Sequence, residues 1–280
     1  MKNILHLILC CSLLASCLPK QKNTDRNTYI PKTEQKPIII PEKENILVFI
    51  LAGQSNMAGR GIVEPIDTIP SPRILTINRD GEIILAKEPL SIYEWKQNNR
   101  GTSCGLSFAK ELLKHIPEKY SVLLLPTAVG GSSINQWLGD SIHREVKLLS
   151  NFKVKAELGM QYGAVKAILW HQGESDANPL GIMNRQDNLN TLFTKFRSYV
   201  NNPTLPILIG NLGSFSKDPD NWNKINEQNA HYAAKDKYVR IIETNDLTPN
   251  RDKIHFDSKS QREIGKRFAG KYLELKPVSN

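Results

Sequence analysis

Three side chains in this sequence have the types needed to make a hydroxyl a nucleophile. They are Ser55, in the run Val48-Phe49-Ile50-Leu51-Ala52-Gly53-Gln54-Ser55-Asn56-Met57, and the pair Asp252 and His255. An alcohol attacks a carbonyl poorly until a base takes its proton, and a neutral histidine oriented by a carboxylate is the usual device. The apolar run stops at Gly53, which predicts that Ser55 sits on the turn leaving the carboxyl edge of a strand, where open α/β sheets bind ligands. The spacing of Asp252 and His255 lets the carboxylate reach one imidazole nitrogen and leaves the other for Ser55. Each piece has a plainer reading: Ser55 as a helix N-cap, and Asp252 with His255 as a solvated pair.

Two further segments end in polar groups at predicted strand ends. In Thr127-Ala128-Val129-Gly130-Gly131-Ser132, adjacent glycines let backbone amides approach a ligand closely, as an oxyanion hole requires; the alternative is a tight turn. Trp170-His171-Gln172-Gly173-Glu174-Ser175-Asp176 crowds polar groups at a strand end and offers Gln172 as a side-chain donor to an oxyanion, beside the carboxylates Glu174 and Asp176. Their alternatives are an N-cap or loop carboxylate, and for His171 a satisfied core histidine. Gln54, Asn56 and Trp137 are candidates for substrate contact. Trp95, Trp137, Trp170 and Trp222 suit sugar rings if they line a cleft and a core if they do not.

Short apolar runs at Ile46–Ala52, Ser121–Pro126, Ala167–His171, Pro206–Gly210 and Val239–Glu243 read as five buried strands. Helical patterns lie between them at Leu106–Leu113, His143–Leu149, Gln186–Val200, Trp222–Ala234 and Ser258–Leu273. This alternation implies a mostly parallel five-stranded sheet with helices on both faces, an α/β/α sandwich. Residues 62–99, with Pro65, Pro70, Pro72 and Pro89, break the rhythm and read as a surface excursion with a small hairpin at Ile74–Ile77 and Glu82–Ala86.

At the N-terminus, Lys2 precedes an apolar stretch from Ile4 to Ala15, the pattern of an export signal and too short to span a bilayer. Leu14-Ala15-Ser16-Cys17 resembles a bacterial lipobox. The expectation is a signal peptide over 1–17, a lipid on Cys17, a proline-rich flexible linker over 18–44, and one catalytic domain over 45–280. A plain signal peptide cut near Ser16 is the alternative. Either places the protein outside the cytoplasm, in the bacterial cell envelope if lipidated and secreted if not. Cys104 then has no disulfide partner in the domain and reads as a small buried hydrophobe. The 37 Lys and Arg against 28 Asp and Glu, net +9, are scattered without a basic aromatic stripe, which argues against nucleic acid. Zinc-ligand spacing and dinucleotide or phosphate loops are not evident, so no metal or cofactor is expected.

Met57 stands where the Gly-x-Ser-x-Gly elbow of α/β-hydrolases has its second glycine, which argues for another scaffold. Gly53-Gln54-Ser55-Asn56-Met57, Gly130-Gly131-Ser132 with Trp137, His171-Gln172-Gly173-Glu174-Ser175-Asp176, and Asp252 with His255 together resemble the SGNH-hydrolase superfamily. Within it they resemble the sialate O-acetylesterase and carbohydrate esterase family six branch, from about Ile46 to Phe268. The resemblance implies a flavodoxin-like fold and an esterase that removes acetyl groups from carbohydrates such as xylan-type glycans or sialic acid. It implies Ser55 as nucleophile, His255 as base, and the N–H groups of Ser55, Gly130 and Gly131 as oxyanion donors. Many SGNH enzymes place an asparagine as third donor; here the place holds Gln172. The acid is Asp252 by proximity, with Glu174 as second choice. Two rivals stand beside this reading: a non-catalytic, surface-tethered carbohydrate-binding lipoprotein on the same fold, and a lipase or thioesterase, which would want a long apolar groove.

Overall fold

Successive residues of the strand Ile46–Gly53 (β1) belong to opposite sides of the molecule. Val48, Ile50 and Ala52 pack into one apolar cluster, and Leu47, Phe49 and Leu51 into another. A strand buried on both faces needs a layer on each, which is why it reads as a continuous apolar run. The computed structural model describes residues 27–93 and 99–275. The segment 1–17 expected to direct export, with Cys17, the expected linker residues 18–26, and Trp95 lie outside the described residues.

Seven strands form the central sheet: β1, β2 (Ile74–Ile77), β3 (Ile83–Leu85), β4 (Ser121–Pro126), β7 (Ala164–His171), β8 (Ile207–Gly210) and β9 (Val239–Ile242). A separate hairpin pairs β5 (Ile142–His143) with β6 (Val146–Lys147). The order across the sheet is β3-β2-β4-β1-β7-β8-β9, with every pairing parallel except β2 with β3. One face is covered by α2 (Gly105–Leu112) and α8 (Ser258–Glu274), through Phe108, Ile264, Phe268 and Tyr272. The other carries α3 (Ile134–Leu138), α4 (Leu148–Tyr162), α6 (Arg185–Tyr199) and α7 (Pro219–Lys235), the short α5 (Pro179–Met183) preceding α6. There Phe152 stacks on Phe196 at 3.9 Å, and Trp137 meets Trp170 edge-on at 5.5 Å. Each such buried ring contributes about 1.5–3 kcal/mol of transfer free energy.

Three expectations are corrected. The sheet has seven strands rather than five, because residues 74–85 extend it instead of wandering over the surface. Ile74, Leu75, Ile77, Ile83 and Leu85 are all buried, and β2 pairs with β4. The helical pattern at His143–Leu149 is a tight hairpin followed by a helix that starts only at Leu148. Finally, part of the stretch assigned to a flexible linker is bound to the sheet edge. Gln35 O accepts from Leu85 N at 2.7 Å, and Glu34 accepts from Asn78 Nδ2 at 2.9 Å. Among the described residues no helix is long and apolar enough to cross a membrane.

The chain runs from β1 outward to β2, returns through β4, then crosses to β7 on the other side of β1. Ligand crevices form at such a reversal, outside the carboxyl ends of the strands. Gly53 ends β1 there at φ +131°, and a Cβ on it would stand 2.2 Å from the His171 carbonyl oxygen. Only glycine fits, and the next residue, Gln54, donates its N–H to that same oxygen at 3.0 Å.

Candidate active site

The abrupt turn at Gly53 leads into a one-turn helix, α1 (Ser55–Ala58), so Ser55 stands at a helix start directly above the strand end. First-turn N–H groups have no carbonyl of their own helix to bond, and the Ser55 amide is one of them. The other half of the site comes from the loop before α8. Its ends are pinned by the Pro249 to Phe256 bridge and by Asn250 N–H donating to His255 O at 2.6 Å. This loop brings His255 Nε2 to 2.9 Å from Ser55 Oγ. Asp252 Oδ2 lies 2.7 Å from His255 Nδ1, while its Oδ1 accepts the N–H groups of Ile254 and His255 at 2.9 and 3.0 Å.

These contacts give each group a protonation state. A carboxylate accepts, so the His255 proton sits on Nδ1 and Nε2 is left to accept from the Ser55 hydroxyl. Partial burial pushes the Asp252 carboxyl up, but the bonds from the His255 ring, His255 N–H and Ile254 N–H outweigh it and hold the group below its ordinary value. The arrangement is that of a hydroxyl, its base and an ionised orienting acid.

Glu174 does not reach His255. It accepts from Asn56 Nδ2 at 2.5 Å, and burial raises its pKa against the pull of Asn56 and Arg185. Of the two candidate acids, only Asp252 touches the imidazole. Asn56, expected at the substrate, is fully buried and works as a clamp between nucleophile and base. Its Nδ2 also donates to Ile254 O at 3.3 Å and its Oδ1 accepts from Phe256 N at 3.1 Å, so it holds the residues on both sides of His255 to α1.

Gln172 is likewise turned inward. Its Nε2 donates to Asp176 Oδ2 at 2.5 Å, with Gln54 Oε1 and Ser132 O at 3.2 Å, and its Oε1 accepts from Arg185 Nη1 at 2.7 Å. A side chain with both ends committed in the interior is not an oxyanion donor. Gln54 is also structural: its Oε1 receives the N–H groups of Gly173 and Ser175 as well as the Gln172 amide. Trp137 is buried, with its indole N–H donating to Ser132 Oγ at 2.9 Å. Trp170 and Trp222 are core residues too. Cys104 is buried, and desolvation lifts its thiol well above the usual range.

The Gly130–Gly131 turn lies at the end of β4, tied to β1 by Val129 N–H donating to Gly53 O at 3.2 Å. Gly131 is at φ +78° and exposed. Two residues not singled out from sequence hold this turn: His143 Nε2 bonds to Gly130 O at 2.9 Å and Ser175 Oγ to Gly131 O at 3.1 Å. A third unforeseen residue is Arg185, fully buried behind the site. It donates to the side chain and backbone carbonyl of Gln172 at 2.7 Å and pairs with Asp176 at 3.6 Å. Burial lowers its guanidinium to about 10 against the opposing pull of Asp176 and Glu174. Ser133 and Gln136 form a capping box beside the turn, and their Ser-x-x-Gln spacing is a signal that could have marked it. His143 and Arg185 carried no such signal. Among the described residues, no three His, Cys, Asp or Glu side chains are grouped to hold a metal ion.

Comparison with known proteins bears on the family and the fold. A probable carbohydrate esterase of Arabidopsis thaliana is 30% identical over 261 residues, covering 86% of this chain and 95% of that protein. A crystal structure of a protein from Arabidopsis thaliana superposes with a TM-score of 0.73 at 27% identity, over 83% of this chain and 99% of that one. The structure of NanS shares the fold, with a TM-score of 0.67 at 19% identity over 85% and 99% of the two chains. Residues 45–274 match the family model described as carbohydrate esterase, sialic acid-specific acetylesterase, and the chain belongs to that family.

Proposed function

We propose that this carbohydrate esterase releases acetate from O-acetylated sugars through an acetyl-enzyme on Ser55. His255 Nε2 takes the Ser55 proton as Oγ attacks the acetyl carbonyl. The tetrahedral oxyanion is received by the N–H groups of Ser55 and of the Gly130–Gly131 turn. Collapse breaks the ester bond, and the departing sugar oxygen takes the proton from His255. Water then attacks the acetyl-serine with His255 again as base, and acetate leaves. Asp252 keeps the imidazole in the tautomer this requires and stabilises the cation that forms at each step.

The observation that carries this reading is the unbroken line Asp252–His255–Ser55, with contacts of 2.7 and 2.9 Å. The same line argues against a carbohydrate-binding protein that has lost the reaction. The test is acetate release from O-acetylated sialic acid, acetylated xylan and simple acetylated sugars by wild-type and Ser55→Ala protein. Loss by about 10⁴-fold or more, with an unchanged thermal midpoint, is expected. Full activity in the variant overturns the mechanism. The substrate with the highest kcat/KM names the sugar.

Export and a lipid anchor on Cys17 belong to the same proposal, supported by the apolar stretch from Ile4 to Ala15 and the Leu14-Ala15-Ser16-Cys17 motif. Expressed in bacteria fed radiolabelled palmitate, the wild-type protein should take up label and Cys17→Ser should not. Equal labelling of the two removes the anchor.

A further inference from the structure

Gly131 is held at φ +78° by bonds to the carbonyl on either side of it, from His143 to Gly130 O and from Ser175 to Gly131 O. In a trans peptide the carbonyl and the following N–H point in opposite directions. Whatever fixes Gly130 O therefore fixes the aim of the Gly131 N–H. A donor on that carbonyl also polarises the amide, making its N–H a stronger donor in turn.

The imidazole of His143 is set up for this task by its neighbours. A carbonyl cannot donate, so the contact of 2.9 Å to Gly130 O puts a proton on Nε2. Independently, Gln136 Oε1 accepts the Ser133 N–H at 2.9 Å, which turns its NH₂ end toward His143 Nδ1 at 3.3 Å. Nδ1 must then accept. Both constraints yield the same neutral tautomer.

The hairpin that carries His143 is built at some expense. Arg144 and Glu145, its two loop residues, lie at φ +49° and +67°. A two-residue loop with both central residues at positive φ is a type I′ turn, which Asn and Gly adopt far more readily than Arg and Glu. Backbone strain of this kind persists where the surroundings over-determine it, and it clusters at functional sites. Here the hairpin brings His143 back onto a turn 13 residues earlier in the chain.

We propose that His143 is a positioning residue of the oxyanion hole, aiming and polarising the Gly131 N–H through Gly130 O, with Gln136 fixing its tautomer. The inference rests on the reading of that amide as an oxyanion donor. Because the oxyanion exists only along the reaction path, loss of its alignment lowers kcat and leaves KM nearly unchanged.

The experiment is steady-state hydrolysis of p-nitrophenyl acetate by the full chain, His143→Ala and His143→Gln, with Ser55→Ala as control and the thermal midpoint of each. His143 is half-buried on a peripheral hairpin, so both variants should fold. His143→Ala should lose about 10- to 100-fold in kcat with KM within about 2-fold. His143→Gln keeps an N–H donor for Gly130 O and should recover most of that loss. Wild-type kcat in His143→Ala overturns the inference, as does a loss confined to KM or one that the Gln variant fails to reverse. A dead Ser55→Ala beside an unaffected His143→Ala would remove this inference and leave the acetyl-serine mechanism standing. An active Ser55→Ala would remove the mechanism itself.

Discussion

Asp252 and His255 sit on a loop at the molecular surface, whereas His171, Glu174 and Asp176, the same residue types at similar spacing, are packed behind the site. The Asp252 side chain is 43% exposed and that of His255 18%. His171 is fully buried, its ring centre 5.7 Å from that of Phe256. Desolvation lowers its pKa to about 4. A base that takes and returns a proton in each cycle needs a partner for each ring nitrogen and a path to solvent. A histidine held neutral across the working range does neither, and serves as a shape. Residue type and sequence spacing do not separate the two uses; desolvation and the identity of the bonded neighbour do.

The largest effect that tests this contrast comes from removing one carboxylate charge at each place. Asp252→Asn presents an amide to His255 Nδ1 and disfavours the tautomer that leaves Nε2 free to accept, so kcat should fall by about 10²–10⁴-fold. The thermal midpoint should stay near wild type, because the group lies largely at the surface. Glu174→Gln keeps an acceptor for Asn56 and should cost less than about 10-fold in kcat. If the two variants lose equal activity, or Glu174→Gln loses more, the assignment of the orienting acid is reversed.

Much of this site was legible because its pieces lie beside strand ends. The apolar run stopping at Gly53 located Ser55, and Asp252-x-x-His255 paired an acid with its base. The run His171 to Asp176 misled for a physical reason. Gln172 has the right type for an oxyanion donor, but Arg185, which claims its carbonyl oxygens, starts a helix 13 residues on with nothing in the sequence to link them. Gln54, Asn56 and Trp137 suggest substrate contacts from sequence because polar and aromatic side chains suit a sugar. In the structure Asn56 locks the His255 loop and Trp137 supports the glycine turn from below. From sequence alone β2 and β3 look like a surface excursion because they are four and three residues long and flanked by prolines. Their burial depends on pairing with β4, a non-local contact.

A smaller effect sharpens the same contrast through the pH dependence of stability. Glu88 is a second buried group kept away from its usual charge. Burial raises its carboxyl to about 7 against hydrogen bonds from Ser103 and Leu90 N–H. In the unfolded chain it ionises near 4.5, so between about 4.5 and 7 the unfolded state holds fewer protons and stability falls as pH rises. His171 acts in the opposite sense. Its folded pKa lies below the unfolded value of 6.5, so its contribution is present above 6.5 and is lost as pH falls toward 4. Shifts of this size correspond to roughly 3 kcal/mol each, and over the shared window they offset one another. Glu88→Gln removes one of the pair and exposes the other. Unfolding free energies of the variant from urea titrations should climb from pH 4 to 6.5 more steeply than those of the wild type, by about 2 kcal/mol across the range. Parallel profiles for the two proteins would mean that Glu88 does not titrate as a buried acid, and the contrast between a charge-changing surface and a charge-excluding interior would have to rest on His171 alone.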